Sequence, residues 1–290
     1  MTTLTVLEAG ALTTVQDFGR LGRSAMGIGR SGACDRGAHR LANALVGNHP
    51  TLATLEVTLG GLVLTTDEDV VVVTTGARCP GAPHLAPVHL QAGEELRLGL
   101  PEAGLRTYVA VRGGIDVEPV LGSRATDVLS GLGPKVLEAG DELPVGTTPR
   151  PVPGVDVAPV PEPTNDLLVV PVSPGPRRDW IDEDAWRLFL SQTYVVDSRS
   201  NRVGVRLEGQ PLTRAREGEL TSEGMLRGAV QVPPSGQPVL FLADHPVTGG
   251  YPVVAYVDDE AVDRCAQLRP GQQVRFTARS AGADEPSARR

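Results

Sequence analysis

The sequence has 290 residues, which is enough for two domains of ordinary size or one large unit with a substantial core. Only 3% of the residues are aromatic, so the core must be aliphatic, and frequent glycines and prolines between Val-rich and Leu-rich runs are typical of a mostly β protein. The formal net charge of −8 argues against a nucleic-acid partner.

The sequence also lacks several common signals. It has no signal-peptide pattern and no apolar run near the roughly 18 residues of a membrane span, so we expect a cytoplasmic protein without a membrane partner. Cys34, Cys79 and Cys265 lie far apart without C-x-x-C spacing and are expected to be small buried hydrophobic residues. The five histidines show no metal-ligand spacing, and we predict no metal site.

Residues 4–7 and 12–15 are predicted to form opening strands, followed by a glycine-rich loop and a helix that ends near residue 46. Asp35 is a good N-cap, and Gly47 stands where a left-handed C-terminal cap is expected. The loop therefore brings Ser31 to a helix N-terminus, where free N–H groups and the helix dipole favour a carboxylate, phosphate or oxyanion. Arg20 adds positive charge nearby.

Residues 27–32 match the pattern G-x-G-x-x-G, but the preceding residues are polar and basic rather than a buried strand, so the context does not favour a dinucleotide site. No G-x-x-x-x-G-K-[ST] phosphate loop occurs either. The simplest alternative is a glycine-rich connection with ordinary surface arginines.

Residues 55–59 and 62–65 are predicted to form a hairpin around Gly60 and Gly61. Glu56 lies in an apolar strand and needs a partner, for which Arg20 and Arg112 are candidates. Further strands are expected at residues 70–75, which should be buried on both faces, and at 88–90, 96–98 and 107–111.

A short pattern, L-x-[AP]-G-[EDQ]-[EQ]-[LV], occurs at residues 90–96, 137–143 and 268–274, each time as a turn that should lead into a strand. The distant third copy suggests two related β units. Six prolines near residues 149–164 indicate a linker, so we predict an N-terminal β subdomain over 1–148, a C-terminal β-barrel subdomain over 165–279 and a disordered tail over 280–290.

The second unit is predicted to begin with a strand at residues 167–172 and a helix at 180–190 capped by Asp179. Strands are then expected at 194–196, 203–207, 229–232 and 239–242, and a last helix at 259–268.

A second site signal follows the strand at 239–242. Asp244, His245 and Thr248 place an acid, a histidine and a hydroxyl close together, as general acid–base chemistry requires. The alternative is a turn in which Asp244 hydrogen-bonds nearby backbone. Residues 200–202 and 221–224 are further segments that could converge here, whereas the missing G-x-S-x-G elbow disfavours a common Ser-His-Asp hydrolase.

Several long motifs occur in register along the chain: TVQDFGRLGRSAMGIGRSGACD, LANALVGN, LEVTLGG, VRGGID with LGSRATD, SNRVGVRLEG, QVPPSGQPVLFLADHPVTGGYP and LRPGQQVRF. From about residue 4 to residue 278 the sequence resembles the family that includes the C subunit of 5-oxoprolinase, KipA-type proteins, the second subunit of allophanate hydrolases and the carboxyltransferase domain of urea carboxylase.

The resemblance implies a mostly β fold of two cyclophilin-like β-barrel subdomains with a few short helices. It also implies ATP-dependent opening of 5-oxoproline to glutamate, in a complex with a KipI-type B subunit and a third, A-type subunit. ATP would be shared with those subunits or supplied through them. One alternative is carboxyl transfer from carboxybiotin, on a separate chain, to urea or another small amide; another is a non-catalytic partner of a KipI-type kinase inhibitor.

We expect one small-substrate site in which Asp244, His245 and Thr248 are catalytic and transfer protons. The residues expected to bind the amide or lactam substrate are Gln16, Asp17, Arg20, Ser31, Asp35, Asn48, Glu56, Arg112, Gly249 and Gly250. His245-Pro246-Val247 stands where the family pattern favours Arg-Gln-Thr, so a titratable group replaces a fixed cation.

Overall fold

The computed structural model describes residues 2–148, 150–151, 153–154, 156–218 and 220–279, so the predicted tail at 280–290 lies outside the described residues. Its first unit holds nine strands, one α-helix and a short 3-10 helix. These elements are β1 (Thr3–Ala9), β2 (Leu12–Gln16), the 3-10 helix (Ser24–Met26), α1 (Arg36–Leu45), β3 (Thr54–Thr58), β4 (Leu62–Thr66), β5 (Val70–Gly76), β6 (Val88–Leu90), β7 (Glu95–Arg97), β8 (Arg106–Val111) and β9 (Glu142–Pro144).

The strands of the first unit form two sheets, with orders β7-β4-β1-β9 and β2-β3-β8-β5-β6. The predicted hairpin between β3 and β4 is wrong: β3 pairs with β2 and β8, whereas β4 pairs with β1 and β7. The chain bends from one sheet into the other at Gly60 and Gly61, which have positive φ, and β1–β2 bends beside it at Gly10. A double glycine permits a corner between sheets as readily as a tight turn.

β5 is buried on both faces, as predicted. Val70 and Val72 pack into the core between the two sheets, while Val71 and Val73 face a second cluster that includes Leu45 of α1. The predicted caps of α1 are confirmed, because the Asp35 side chain accepts from the N–H of Ala38 and Gly47 has a φ of 72°. This packing holds α1 against the outer face of the five-stranded sheet.

Across its described residues, the second unit contains nine strands, two α-helices and a 3-10 helix. They are β10 (Leu168–Pro174), the 3-10 helix (Arg178–Trp180), α2 (Glu183–Ser191), β11 (Tyr194–Val196), β12 (Gly204–Glu208), β13 (Glu223–Gly224), β14 (Ala229–Gln231), β15 (Val239–Phe241), β16 (Thr248–Gly249), β17 (Val253–Val257), α3 (Asp259–Cys265) and β18 (Gln273–Ala278).

Seven of these strands close a barrel in the order β10-β17-β14-β15-β12-β11-β18, and parallel pairing of β18 with β10 completes it. The scarce aromatic residues concentrate here, with the rings of Phe189 and Phe276 stacked 4.6 Å apart. Helix α2 begins later than predicted, because Asp182 rather than Asp179 caps it by accepting from the N–H of Ala185. Asp179 instead lies in the preceding 3-10 helix.

The three copies of the short pattern each lead into a strand, as predicted, since β7, β9 and β18 begin at or just before the last residue of a copy. The described part of the linker forms no strand. Its Ala158 is buried and donates its N–H to the carbonyl oxygen of Leu85, which holds the linker against the first unit. Among the described residues, no helix has the length and apolar character needed to cross a membrane.

Candidate functional site

The glycine-rich loop after β2 folds back on itself so that two backbone segments nearly touch. A Cβ at Gly19 would lie 2.2 Å from the carbonyl oxygen of Arg30, and one at Gly32 would lie 2.8 Å from the nitrogen of Gly19. Both glycines have positive φ. Glycine is therefore required at these positions for steric as well as conformational reasons.

This close crossing holds Ser31 fully buried at the interface between the two units. Ser31 has a φ of 56°, which is uncommon for a residue with a side chain. Its Oγ donates to Oδ1 of Asp244 at 2.6 Å. The glycine-rich loop and the segment after β15 therefore meet, as the sequence predicted, across 213 positions of the chain.

Arg202 joins the same group from the loop before β12. Its side chain is 1% exposed, its Nε donates to Oδ2 of Asp244 at 2.9 Å, and its Nη2 donates to the carbonyl oxygen of Gly32 at 2.7 Å. Its Nη1 donates to Oε1 of Glu56. One guanidinium thus bridges a carboxylate from each unit, and we call Ser31, Glu56, Arg202 and Asp244 the interface network.

Glu56 is completely enclosed by donors. Its Oε2 accepts from the N–H of Cys34 at 2.9 Å and from the hydroxyl of Tyr108 at 2.7 Å, and its Oε1 lies 3.3 Å from Nε of Arg106. Burial opposes ionisation of Glu56, but the Arg202 and Arg106 guanidiniums outweigh it and the pKa of the carboxyl is lowered. The predicted partners Arg20 and Arg112 are wrong, since Arg202 and Arg106 take that place.

The start of α1 is occupied by the protein's own carboxylates. Asp263 of α3 accepts from the N–H groups of Arg36 and Gly37, both at 3.0 Å, while Asp35 accepts from that of Ala38. Burial, together with the charge of Asp263, raises the pKa of Asp35 to about 6. The helix terminus therefore attracts anions as expected, but these anions belong to the chain.

Arg20 presents unused hydrogen-bond donors beside the interface network. The residue is 1% exposed, and its Nη2 donates to the carbonyl oxygen of Ala125 at 2.6 Å. Its Nε and Nη1, together with Oε1 of Gln16 and Oγ1 of Thr126, have no hydrogen-bond partner among the described residues. Burial lowers the pKa of the Arg20 guanidinium, against the opposing charges of nearby carboxylates.

The side chains that carry these unpartnered atoms meet at one short segment, residues 125–126. Nε2 of Gln16 donates to the carbonyl oxygen of Thr126 at 2.9 Å, and Oγ of Ser31 lies 3.4 Å from the same oxygen. Unpaired buried polar groups are rare and call for a partner. The cluster offers two cationic N–H donors and two acceptors next to the bonded pair of Ser31 and Asp244.

His245 follows Asp244 and packs near the glycine-rich loop, since a Cβ at Gly29 would lie 3.6 Å from its carbonyl oxygen. Its Nδ1 lies 2.8 Å from the carbonyl oxygen of Pro246 and so carries the proton, leaving Nε2 as an acceptor. Burial lowers the pKa of the imidazole, which favours its neutral form.

The other residues predicted after His245 lie on, or directly after, strand β16, which pairs with β13 in a small two-stranded sheet. Thr248 is exposed on β16, where it pairs with Gly224 of β13. Gly249 pairs with Glu223, and Gly250 accepts through its carbonyl oxygen from the N–H of Leu220.

Three predicted substrate-binding residues are engaged in holding the fold. Asp17 accepts from Oγ of Ser123 at 2.6 Å and from the N–H of Arg124 at 2.7 Å. Asn48 and Arg112 lie at the other end of α1, where Arg112 donates to the carbonyl oxygen of Val46. Ten residues of helix place that end about 15 Å from Asp35.

Four residues that bind the network together were not among the predicted site residues: Arg106, Tyr108, Arg202 and Gln267. Gln267 donates to Oδ2 of Asp35 at 2.7 Å and accepts from the N–H of Arg106 at 2.9 Å, so it fastens α3 to β8. Tyr108 was detectable in principle, because it lies directly opposite Glu56 in the paired strands. The segment containing Arg202 is a candidate from its sequence, but nothing in the sequence pairs it with Glu56.

Comparison with known proteins places the chain in a family. Residues 26–278 match the carboxyltransferase domain family, subdomains A and B. The chain belongs to this family. It is 39% identical over 285 residues to the 5-oxoprolinase C subunit of Escherichia coli (strain K12), an alignment that covers 94% of this chain and 90% of that protein.

Solved structures show the same fold. The crystal structure of TTHA0988 superposes with a TM-score of 0.86 at 36% identity, covering 96% of this chain and 55% of that chain. The K. lactis urea amidolyase superposes with a TM-score of 0.87 at 29% identity over 97% of this chain. This chain spans about half of the first protein and 19% of the second.

Proposed function

We propose that this chain is the C subunit of a 5-oxoprolinase, which opens the lactam 5-oxoproline to glutamate together with partner subunits. The observation that carries the proposal is the identity of 39% with the 5-oxoprolinase C subunit, which extends over nearly the full length of both chains. An alignment of that extent includes both units and the interface between them.

The atoms beside the interface network suit such a substrate. Nη1 of Arg20 would bind the carboxylate of 5-oxoproline, and Oε1 of Gln16 would accept from its ring N–H. The lactam carbonyl would lie near Ser31, and the neutral imidazole of His245 would accept a proton. Asp244 and Arg202 act as positioning residues, since they hold Ser31 in place.

ATP is proposed to enter through the partner subunits. The N–H groups at the start of α1, the natural phosphate cradle of this chain, donate to Asp35 and Asp263 and do not fit a triphosphate. We therefore assign this chain the binding and orientation of the lactam, and derive no step that passes through the nucleotide.

The test is a reconstitution. Glutamate release from 5-oxoproline is measured for the complex with and without this chain, in the presence and absence of ATP. We expect release only when the chain and ATP are both present; release without the chain would refute a catalytic role. Arg20→Gln should raise KM at least tenfold, whereas the exposed Arg23→Gln in the same loop should leave KM unchanged.

A second candidate function is carboxyl transfer from carboxybiotin to a small amide. It is favoured by the carboxyltransferase family match and by the structural likeness to urea amidolyase. Sensitivity of the reconstituted activity to avidin, with urea as substrate, would select this function. Binding of the partner subunits without turnover of either substrate would instead indicate a regulatory role.

A further inference from the structure

A cavity lies on the opposite side of residues 34–35 from the interface network. The N–H of Cys34 points to Glu56 in the network, while the side chain of Asp35 lines the cavity. The cavity has a volume of about 570 Å³ and lies between α1, residues 160–168 and α3. That volume is typical of pockets that bind small molecules.

The walls of the cavity are mostly apolar and include Leu41, Leu85 and Leu167. The linker side is fixed rather than loose, because Nε2 of Gln272 donates to the carbonyl oxygens of Thr164 and Asp166, both at 3.0 Å. The cavity is therefore a preformed space that suits a compact apolar body.

One polar group in the cavity wall has no partner. The side chain of His84 is only 5% exposed, and its Nε2 forms no hydrogen bond with any described residue. Thr74 gives its hydroxyl hydrogen to the carbonyl oxygen of Pro83 at 2.6 Å, so its oxygen accepts from Nδ1 of His84 at 3.4 Å. Nε2 is then a bare acceptor that requires a donor from a ligand.

The charge around the cavity favours a cation. Four carboxylates line it, those of Asp35, Glu162, Asp166 and Asp263, against one lining guanidinium, that of Arg264; outside the lining, Nη1 of Arg78 lies 3.7 Å from Oε1 of Glu162. Oε1 of Glu162 lies 4.0 Å from Nε2 of His84, close enough for one ammonium group to contact both. Burial lowers the pKa of His84, which keeps its Nε2 lone pair available at neutral pH.

We propose that this cavity binds a small organic cation, with its apolar body against the leucines and its ammonium group between His84 and Glu162. The site is separate from the proposed lactam site and does not rest on the proposed function. An ammonium supplies the donor that the His84 acceptor lacks and places positive charge among the four carboxylates.

The test uses the full chain and three probes that share an indole body: tryptamine, the neutral alcohol tryptophol and the anion indolepropionate. Calorimetric titration should give millimolar or tighter binding for tryptamine, with at least tenfold weaker binding for tryptophol and weaker still for indolepropionate. Absence of tryptamine binding at millimolar concentration, or equal affinity for the alcohol, overturns the proposal.

Variants locate the ammonium group. Glu162→Gln removes a charge from a side chain that is 42% exposed, so folding should be preserved, and tryptamine affinity should fall at least tenfold. His84→Phe should have the same effect, whereas His89→Phe, at an exposed histidine of β6 outside the cavity, should have none. Unchanged affinity in folded Glu162→Gln, or an equal loss in His89→Phe, refutes the assignment.

Discussion

Replacement of Arg202 by methionine is the sharpest test of the interface network. Methionine fills similar space but leaves Asp244 with neither of its guanidinium bonds and removes one of the two cations beside Glu56. Removing one partner of a buried ion pair leaves an uncompensated buried charge and costs about 3–5 kcal/mol. Because Arg202 is 1% exposed and bonds both units, we expect a loss of unfolding free energy in that range.

The assay is equilibrium unfolding in urea, monitored by far-ultraviolet circular dichroism. Arg97→Met is the matched control, because Arg97 also pairs with two carboxylates but is 58% exposed. Exposed pairs contribute little to stability because solvent screens them, so this variant should lose far less unfolding free energy than Arg202→Met.

A double-mutant cycle completes the test. Asp244→Asn removes the charge that Arg202→Met leaves unpaired, so the double variant should be more stable than the sum of the two single losses predicts. If Arg202→Met loses as little as Arg97→Met, or if the two losses simply add, the network does not stabilise the interface as described.

Three further predictions concern the loop and the start of α1. Gly19→Ala places a Cβ 2.2 Å from a backbone carbonyl oxygen and should lower the melting temperature far more than Gly22→Ala, whose Cβ would meet nothing within 4 Å although φ is also positive; equal losses would contradict the steric argument. Ser31→Ala deletes the bond to Asp244 and should cost about 1–3 kcal/mol in urea unfolding, and a smaller effect would mean that the bond contributes little. Burial raises the pKa of Asp35 to about 6 in the folded protein, whereas its pKa in the unfolded chain is about 4. The protonated side chain therefore makes its full contribution to stability below about pH 4, and this contribution is lost as the pH rises through 6. Asp35→Asn keeps an N-cap and should therefore remove roughly 3 kcal/mol of pH dependence, measured as unfolding free energy against pH; an unchanged profile would refute the raised pKa.

The local features of the sequence predicted local structure well. The caps of α1 at Asp35 and Gly47 are determined by their own residues and neighbours, and the structure confirms both. The approach of Ser31 to Asp244 was predicted from two dense motifs, without any sequence signal that measures their separation.

The wrong predictions concern strand pairing and ion pairing, which depend on distant parts of the chain. Gly60 and Gly61 permit either a hairpin or a corner, and the pairing of β1 with β4 decides between them. Glu56 needed a cation, but its sequence neighbourhood does not contain Arg202, which lies 146 positions further on. A buried charge reveals that a partner exists, whereas only the folded chain reveals which one.

That separation of 146 positions has a consequence for biosynthesis. At about 5–20 residues per second, Arg202 leaves the ribosome roughly 7–30 seconds after Glu56. Until Arg202 is available, the donors around Glu56 in the nascent first unit are limited to the N–H of Cys34, Arg106 and Tyr108, and the glycine-rich loop lacks the guanidinium that binds Gly32. The first unit therefore reaches its final stability only after the second unit has been synthesised and has docked against it. The two units complete their folding together.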